Sequence, residues 1–149
     1  MSEYGPETPA RAYARKHLEQ SGLLYQKNML QESENAVREA IVADPSFAAA
    51  YSSLGAVLKS QGRLAEAENA YRLAIGADPN YGLSHSQLAS LLKEQGRLRE
   101  AEEFYRKAII IHPKASGNYY ELAEILKHLN RLDEAQSMLA KYSEIVQSK

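Results

Sequence analysis

Between Ala48 and Tyr81 the apolar positions fall into two helical stripes separated by a short polar break. Tyr51, Leu54, Gly55 and Leu58 stand at i, i+3, i+4 and i+7, which is one face of a helix. Ser60-Gln61-Gly62-Arg63 interrupts the pattern, with Gly62 as the expected C-terminal cap. Ala67, Ala70, Tyr71, Ala74 and Ile75 mark the stripe of a second helix. Asp78-Pro79 ends it, because proline lacks an N–H and pushes its predecessor out of the helical region. The small residues Gly55, Ala67 and Ala74 let the two helix axes approach closely, and Tyr51 and Tyr71 fill the remaining gaps.

The same punctuation recurs along the chain. Val37 to Ser46 reads VREAIVADPS, Tyr71 to Asn80 reads YRLAIGADPN, and Tyr105 to Lys114 reads YRKAIIIHPK. Pro45, Pro79 and Pro113 are each 34 residues apart, a spacing that points to a repeat architecture. Four units of two helices are predicted, at about residues 14–47, 48–81, 82–115 and 116–147, within one domain over 9–149. Residues 1–8 read as a flexible lead-in, with Thr8 capping the first helix and Pro9 at its first position. The last helix, about Asp133 to Val146, gathers Ala135, Met138, Leu139, Tyr142, Ile145 and Val146 on one stripe. Gln136, Lys141, Glu144 and Gln147 occupy its other face, as expected of a helix that closes a stack.

The motif within each unit resembles the tetratricopeptide repeat family. Tyr51, Leu54-Gly55, Leu58, Ala67, Tyr71, Ala74 and Pro79 match the family pattern in the second unit. His85, Leu88-Ala89, Leu92, Ala101, Tyr105, Ala108 and Pro113 match it in the third. The fourth offers Tyr119, Leu122-Ala123, Leu126, Ala135 and Leu139, with Tyr142 where the last alanine belongs. The first keeps Leu24, Ala40 and Pro45 but carries Gln20-Ser21, Ser33 and Val37 where Leu-Gly, alanine and an aromatic are usual. That unit is expected to hold together least well. The resemblance implies an all-α fold in which helix pairs stack into a right-handed superhelix, an α-solenoid whose first helices line a concave groove. No unit of such a stack buries its apolar face alone.

Composition narrows the chemistry. Lysine and arginine number 18 against 19 acidic residues, so no basic surface for a phosphate backbone is expected. Cysteine is absent, which removes disulfides and thiol nucleophiles. The first residues lack the apolar core of a signal peptide and no stretch approaches a membrane span, so the chain reads as soluble and cytoplasmic. Of four histidines, His17 and His85 align with the packing tyrosines Tyr51 and Tyr119, His112 precedes Pro113 in a turn, and His128 lies near a helix end. Neither metal-ligand spacing nor a phosphate loop nor a nucleophile elbow occurs. Glu100, Glu102 and Glu103 lie beside Arg99 and Arg106 as surface charge pairs. No enzyme activity, metal or cofactor is expected, and neither nucleic acid nor membrane as partner.

At 100° per residue the groove side of each first helix follows. Candidate partner-binding residues are Tyr25 in the first unit and Ser52, Ala56 and Lys59 in the second. Ser86, Ser90 and Lys93 follow in the third, then Tyr120, Glu124 and Lys127 in the fourth. Lys59, Lys93 and Lys127 repeat every 34 residues and suggest a rail for an acidic protein or peptide segment. The plain alternative is that lysine is soluble and a good helix former. The clamp by which some family members hold a chaperone's C-terminal carboxylate lacks its residues here. So does the asparagine ladder of sugar-transferase members, whose positions hold Glu19, Ser53, Gln87 and Glu121. The reading is a protein-interaction module that binds a peptide or partner helix. The alternatives are a non-catalytic targeting domain of a larger enzyme such as a glycosyltransferase, or a self-associating scaffold that forms homo-oligomers.

Overall fold

The computed structural model describes residues 6–148. Among them are eight helices and no strand: α1 (Pro9–Gln26), α2 (Leu30–Ala43), α3 (Ala48–Ser60), α4 (Leu64–Ala77), α5 (Gly82–Glu94), α6 (Leu98–Ile111), α7 (Ser116–His128) and α8 (Leu132–Gln147). The all-α helix-pair reading is therefore correct. Contacts divide the chain between Pro79 and Asn80 into two compact units. In the first, α1 pairs with α2 and α3 with α4, while α3 also packs on α2 and α1. In the second, α5 pairs with α6 and α7 with α8, and α6 packs on α7.

The lead-in expected over residues 1–8 falls largely outside the described residues. Of its described part, Thr8 accepts a hydrogen bond from the Arg11 backbone N–H at 3.1 Å and caps α1, with Pro9 just inside. Glu7 pairs with Arg15 at 2.8 Å.

Each turn between paired helices has the same backbone. Asn28, Gly62, Gly96 and Asn130 all have φ between 58° and 77°, the left-handed region open to glycine and tolerated by asparagine. After α3, the Arg63 N–H reaches the Leu58 carbonyl and the Gly62 N–H reaches that of Lys59, both at 2.9 Å. These two bonds satisfy carbonyls that the helix end leaves without partners. Met29–Leu24, Arg97–Leu92 and Arg131–Leu126 repeat the longer bond at 2.8–2.9 Å. The stop at the far end of each pair also repeats: Asp44 and Asp78 are extended at ψ 91° and 97°, as residues before proline must be.

The core lies where small residues bring paired helices together. Ala40, Ala67, Ala74, Ala89, Ala101, Ala108 and Ala123 are fully buried. A Cβ built on Gly55 would overlap the ring of Tyr71, so this glycine of α3 makes room for that ring. The first pair solves the same position differently. Ser21 and Ser33, at the places of Gly55 and Ala67, are buried and bond reciprocally, each hydroxyl donating to the other's carbonyl at 2.8 Å. Their polarity is thus satisfied and joins α1 to α2. α1 nonetheless buries only Ala14 and Ser21 completely. The stripe expected to close α8 is poorly covered: only Ala135 is buried, Met138, Leu139, Tyr142 and Ile145 are half-buried, and Val146 is exposed.

Successive pairs are joined by a charge clasp that the sequence reading missed. Glu34 of α2 is 4% exposed. It accepts from Arg38 one turn on at 2.8 Å and from Arg63, which heads α4, at 2.7 Å. Glu102 of α6 accepts from Arg106 at 2.9 Å and from Arg131 at the head of α8 at 2.7 Å. The sequence places Glu68, Arg72 and Arg97 at the corresponding positions, and Arg72 donates to Glu68 at 2.9 Å. Arg63, Arg97 and Arg131 each also bond an acidic residue three positions on, Glu66, Glu100 or Glu134, in the first helical turn. A carboxylate there suits the positive end of the helix. Burial by itself would raise the Glu34 and Glu102 carboxyls. The arginine hydrogen bonds outweigh it and hold both below the ordinary carboxylate value of 4.5.

Two outcomes follow from this packing. Ala74→Leu and Ala108→Leu put three extra carbons into closed contacts and should each cost about 1–3 kcal/mol, read as a lowered thermal midpoint. Unchanged midpoints would mean that these alanines do not set the helix spacing. Because the clasped carboxyls are depressed in the folded chain, their stabilisation is complete above 4.5 and is lost as pH falls through the folded values. Urea midpoints should therefore drop more steeply on acidification in the native chain than in the Glu34→Gln, Glu102→Gln double variant.

Candidate functional site

The candidate residues on the first helices meet different fates. In the first unit, Tyr25 of α1 is 40% exposed but spends its hydroxyl on Ser60 of α3, at 2.7 Å. Ser52 is 1% exposed, which corrects its assignment to an open face. The projection of an isolated helix could not foresee that α3 is packed upon by α1 and α2 as well as α4. Ala56 and Lys59 are half-buried.

In the second compact unit, residues 80–149, called the second unit from here on, the candidates converge. Ser86 and Ser90 of α5 and Tyr120 of α7 line an open cleft of ≈ 500 Å³. Tyr105 of α6, Tyr142 of α8, and Ser116, Gly117, Asn118 and Glu121 of α7 complete it. Ser86 donates to the Asn118 side-chain oxygen at 2.8 Å and so fixes one wall. Tyr120 and Tyr142 have ring centroids 5.5 Å apart, inclined at 52°. Burial pushes the Tyr105 phenol well above its usual range, and the negative charge of Glu121 adds to the shift.

Lys93, Glu124 and Lys127 lie outside the lining. Lys93 bonds Glu121 at 2.5 Å, and Lys127 bonds Glu124 at 3.0 Å. The Lys127 hydrogen bond keeps the Glu124 carboxyl below its ordinary value. The Lys93 and Lys127 ammoniums are therefore already matched by carboxylates, which corrects the picture of a bare cationic rail. Sequence reasoning missed Tyr142 as a lining residue, although a signal was present. Tyr142 stands where the other units carry Ala40, Ala74 and Ala108, and Tyr120 where the middle units carry Ser52 and Ser86.

One family profile described as "Tetratricopeptide repeat" matches residues 58–115 and 92–148, and a second of that description matches 18–82. The chain belongs to the tetratricopeptide repeat family. This tetratricopeptide repeat chain also has solved structures of similar fold. One is the crystal structure of MamA, 21% identical, covering 91% of this chain and 79% of that one at a TM-score of 0.83. Another is pilF of Pseudomonas aeruginosa, 19% identical, covering 95% and 65% at 0.87. A third is the first such domain of Spaghetti (RPAP3) bound to an HSP90 peptide, SRMEEVD, 18% identical, covering 80% and 95% at 0.75. No curated protein matches the sequence. Among the described residues no helix is long and apolar enough to cross a membrane, and no group of three or more histidine, aspartate or glutamate residues is placed to hold a metal ion.

Lys93→Glu removes the bond to Glu121 and sets like charges together. Both side chains are partly exposed, at 29% and 39%. The lost pair should therefore cost only about 0.2–1 kcal/mol. The cost should shrink once salt brings the Debye length below about 8 Å. Thermal midpoints at low and high salt check this; equal midpoints for both proteins at low salt would mean that the pair carries no stability.

Proposed function

We propose that this tetratricopeptide repeat chain is a protein-interaction module, and that the first-helix face of its second unit binds an extended peptide or partner helix. The observation that carries this is the cleft between α5 and α7. Two small hydroxyl residues, Ser86 and Ser90, leave room for a ligand backbone beside the tyrosine wall of Tyr120 and Tyr142. Tyrosines present large, rigid contact surfaces at small entropic cost, and polar groups that line a groove fix the orientation of what enters it. The RPAP3 domain of similar fold holds a peptide, which supports the same mode of use. Its acidic peptide does not transfer as a ligand: the clamp positions here hold Leu18, Gly22, Ser53, Leu83 and Gln87, or one repeat later Ser52, Ala56, Gln87, Gly117 and Glu121, none of them cationic.

The test uses a plug. Gly117 lines the cleft and a Cβ built on it meets nothing within 4 Å, so Gly117→Trp is the plug, with unchanged helicity by circular dichroism as its control. A displayed library of random peptides panned against the native chain should yield binders that Gly117→Trp rejects. Binders indifferent to the plug would move the interaction to another surface, and a library that yields none would overturn the proposed mode.

A further inference from the structure

The residues lining the cleft include one carboxylate, Glu121, and no lysine, arginine or histidine. The Lys93 bond takes Glu121 Oε2. The Glu121 side chain is 39% exposed. A carboxylate offers about four lone-pair sites, so one ammonium does not exhaust it. The Tyr105 phenol on the same lining, raised by burial, is raised further by the charges of Glu121 and Glu94, while a hydrogen bond with Ser90 opposes the shift. Beside Glu121 on α7 stands Tyr120, 44% exposed, with Tyr142 against it. Hydroxyl oxygens come from Ser116 and from Ser90, which is itself hydrogen-bonded to Tyr105, on the same lining.

A tyrosine face, a carboxylate and hydroxyl acceptors around one space match a particular side chain. A guanidinium is planar and stacks on aromatic rings. It also carries five donors in a fixed fork that suits carboxylate and hydroxyl oxygens. We propose that the cleft of the second unit receives an arginine side chain of the bound partner segment, between Tyr120 and Glu121. The inference rests on the proposed peptide-binding face and specifies its chemistry. At this point of the chain the recognised charge is positive, the reverse of what the spacing of the lysines alone suggested. Lys93 and Lys127 are engaged by Glu121 and Glu124, whereas an arginine entering beside Tyr120 can share Glu121 with Lys93.

The experiment is an NMR titration of the full isotopically labelled chain with short capped alanine peptides that differ only in a central arginine, citrulline or glutamate. The arginine peptide should shift the resonances of Tyr120, Glu121 and Tyr142 saturably, with a dissociation constant of order 1 mM. Citrulline, which keeps the shape but not the charge, and glutamate should bind at least roughly fivefold more weakly. Tyr120→Ala and Glu121→Gln should each weaken arginine binding roughly two- to fivefold, with helicity by circular dichroism unchanged. Equal shifts from all three peptides, or full affinity in Glu121→Gln, would overturn the arginine assignment and leave the peptide-binding face standing. Silence from every short peptide, while library-selected peptides still bind and are blocked by Gly117→Trp, would also overturn the assignment alone. Failure of both experiments would remove the face with it.

Discussion

Close approach of helices at small side chains is the constraint on which the rest of this structure depends. A pair of helices of five turns or fewer buries little by itself, and its stability comes from packing against neighbours. The fully buried alanines Ala40, Ala74 and Ala108 allow that packing on each second helix, and Gly55 allows it on α3, where a methyl would strike Tyr71. The turns serve the same end. A left-handed residue and two backbone bonds reverse the chain within a few residues after α1, α3, α5 and α7, so each second helix returns along its partner. The prolines then stop it before the next pair begins.

Charge joins what apolar packing aligns. Glu34 and Glu102 are carboxylates taken largely out of water, and each is held by two arginines, one on its own helix and one heading the next second helix. A buried carboxylate without such partners would be strongly destabilising, so each clasp couples the geometry of consecutive pairs within a unit. The same arginines also place an acidic residue in the first turn of the helix they head, where no side chain of the cap residue itself bonds the backbone.

The cleft arises where the repeat departs from itself. Three units carry alanine at the position of Tyr142, and the middle units carry serine at that of Tyr120. In the second unit of the chain these two departures meet as a ring pair above Ser86 and Ser90, beside Glu121. A solenoid built from equal units offers equal surfaces, and specificity comes from the positions that break the equality.

The sequence by itself made the all-α helix-pair architecture legible, because two helical stripes and a proline stop recur every 34 residues and match the tetratricopeptide pattern. It also contained the clasp, as Glu34, Glu68 and Glu102 with arginines at fixed offsets, but spacing does not reveal which of two possible neighbours a long side chain will reach. Only the tertiary structure decided that Ser52 is fully buried while Ser86 is half-buried and lines the cleft. Only it brought Tyr142 of α8 against Tyr120 of α7, residues on different helices whose projections share no face. And only it turned Lys93 and Lys127 from a row of like charges into two ion pairs, because a carboxylate within 2.5–3.0 Å outweighs repulsion between ammoniums spaced a whole repeat apart.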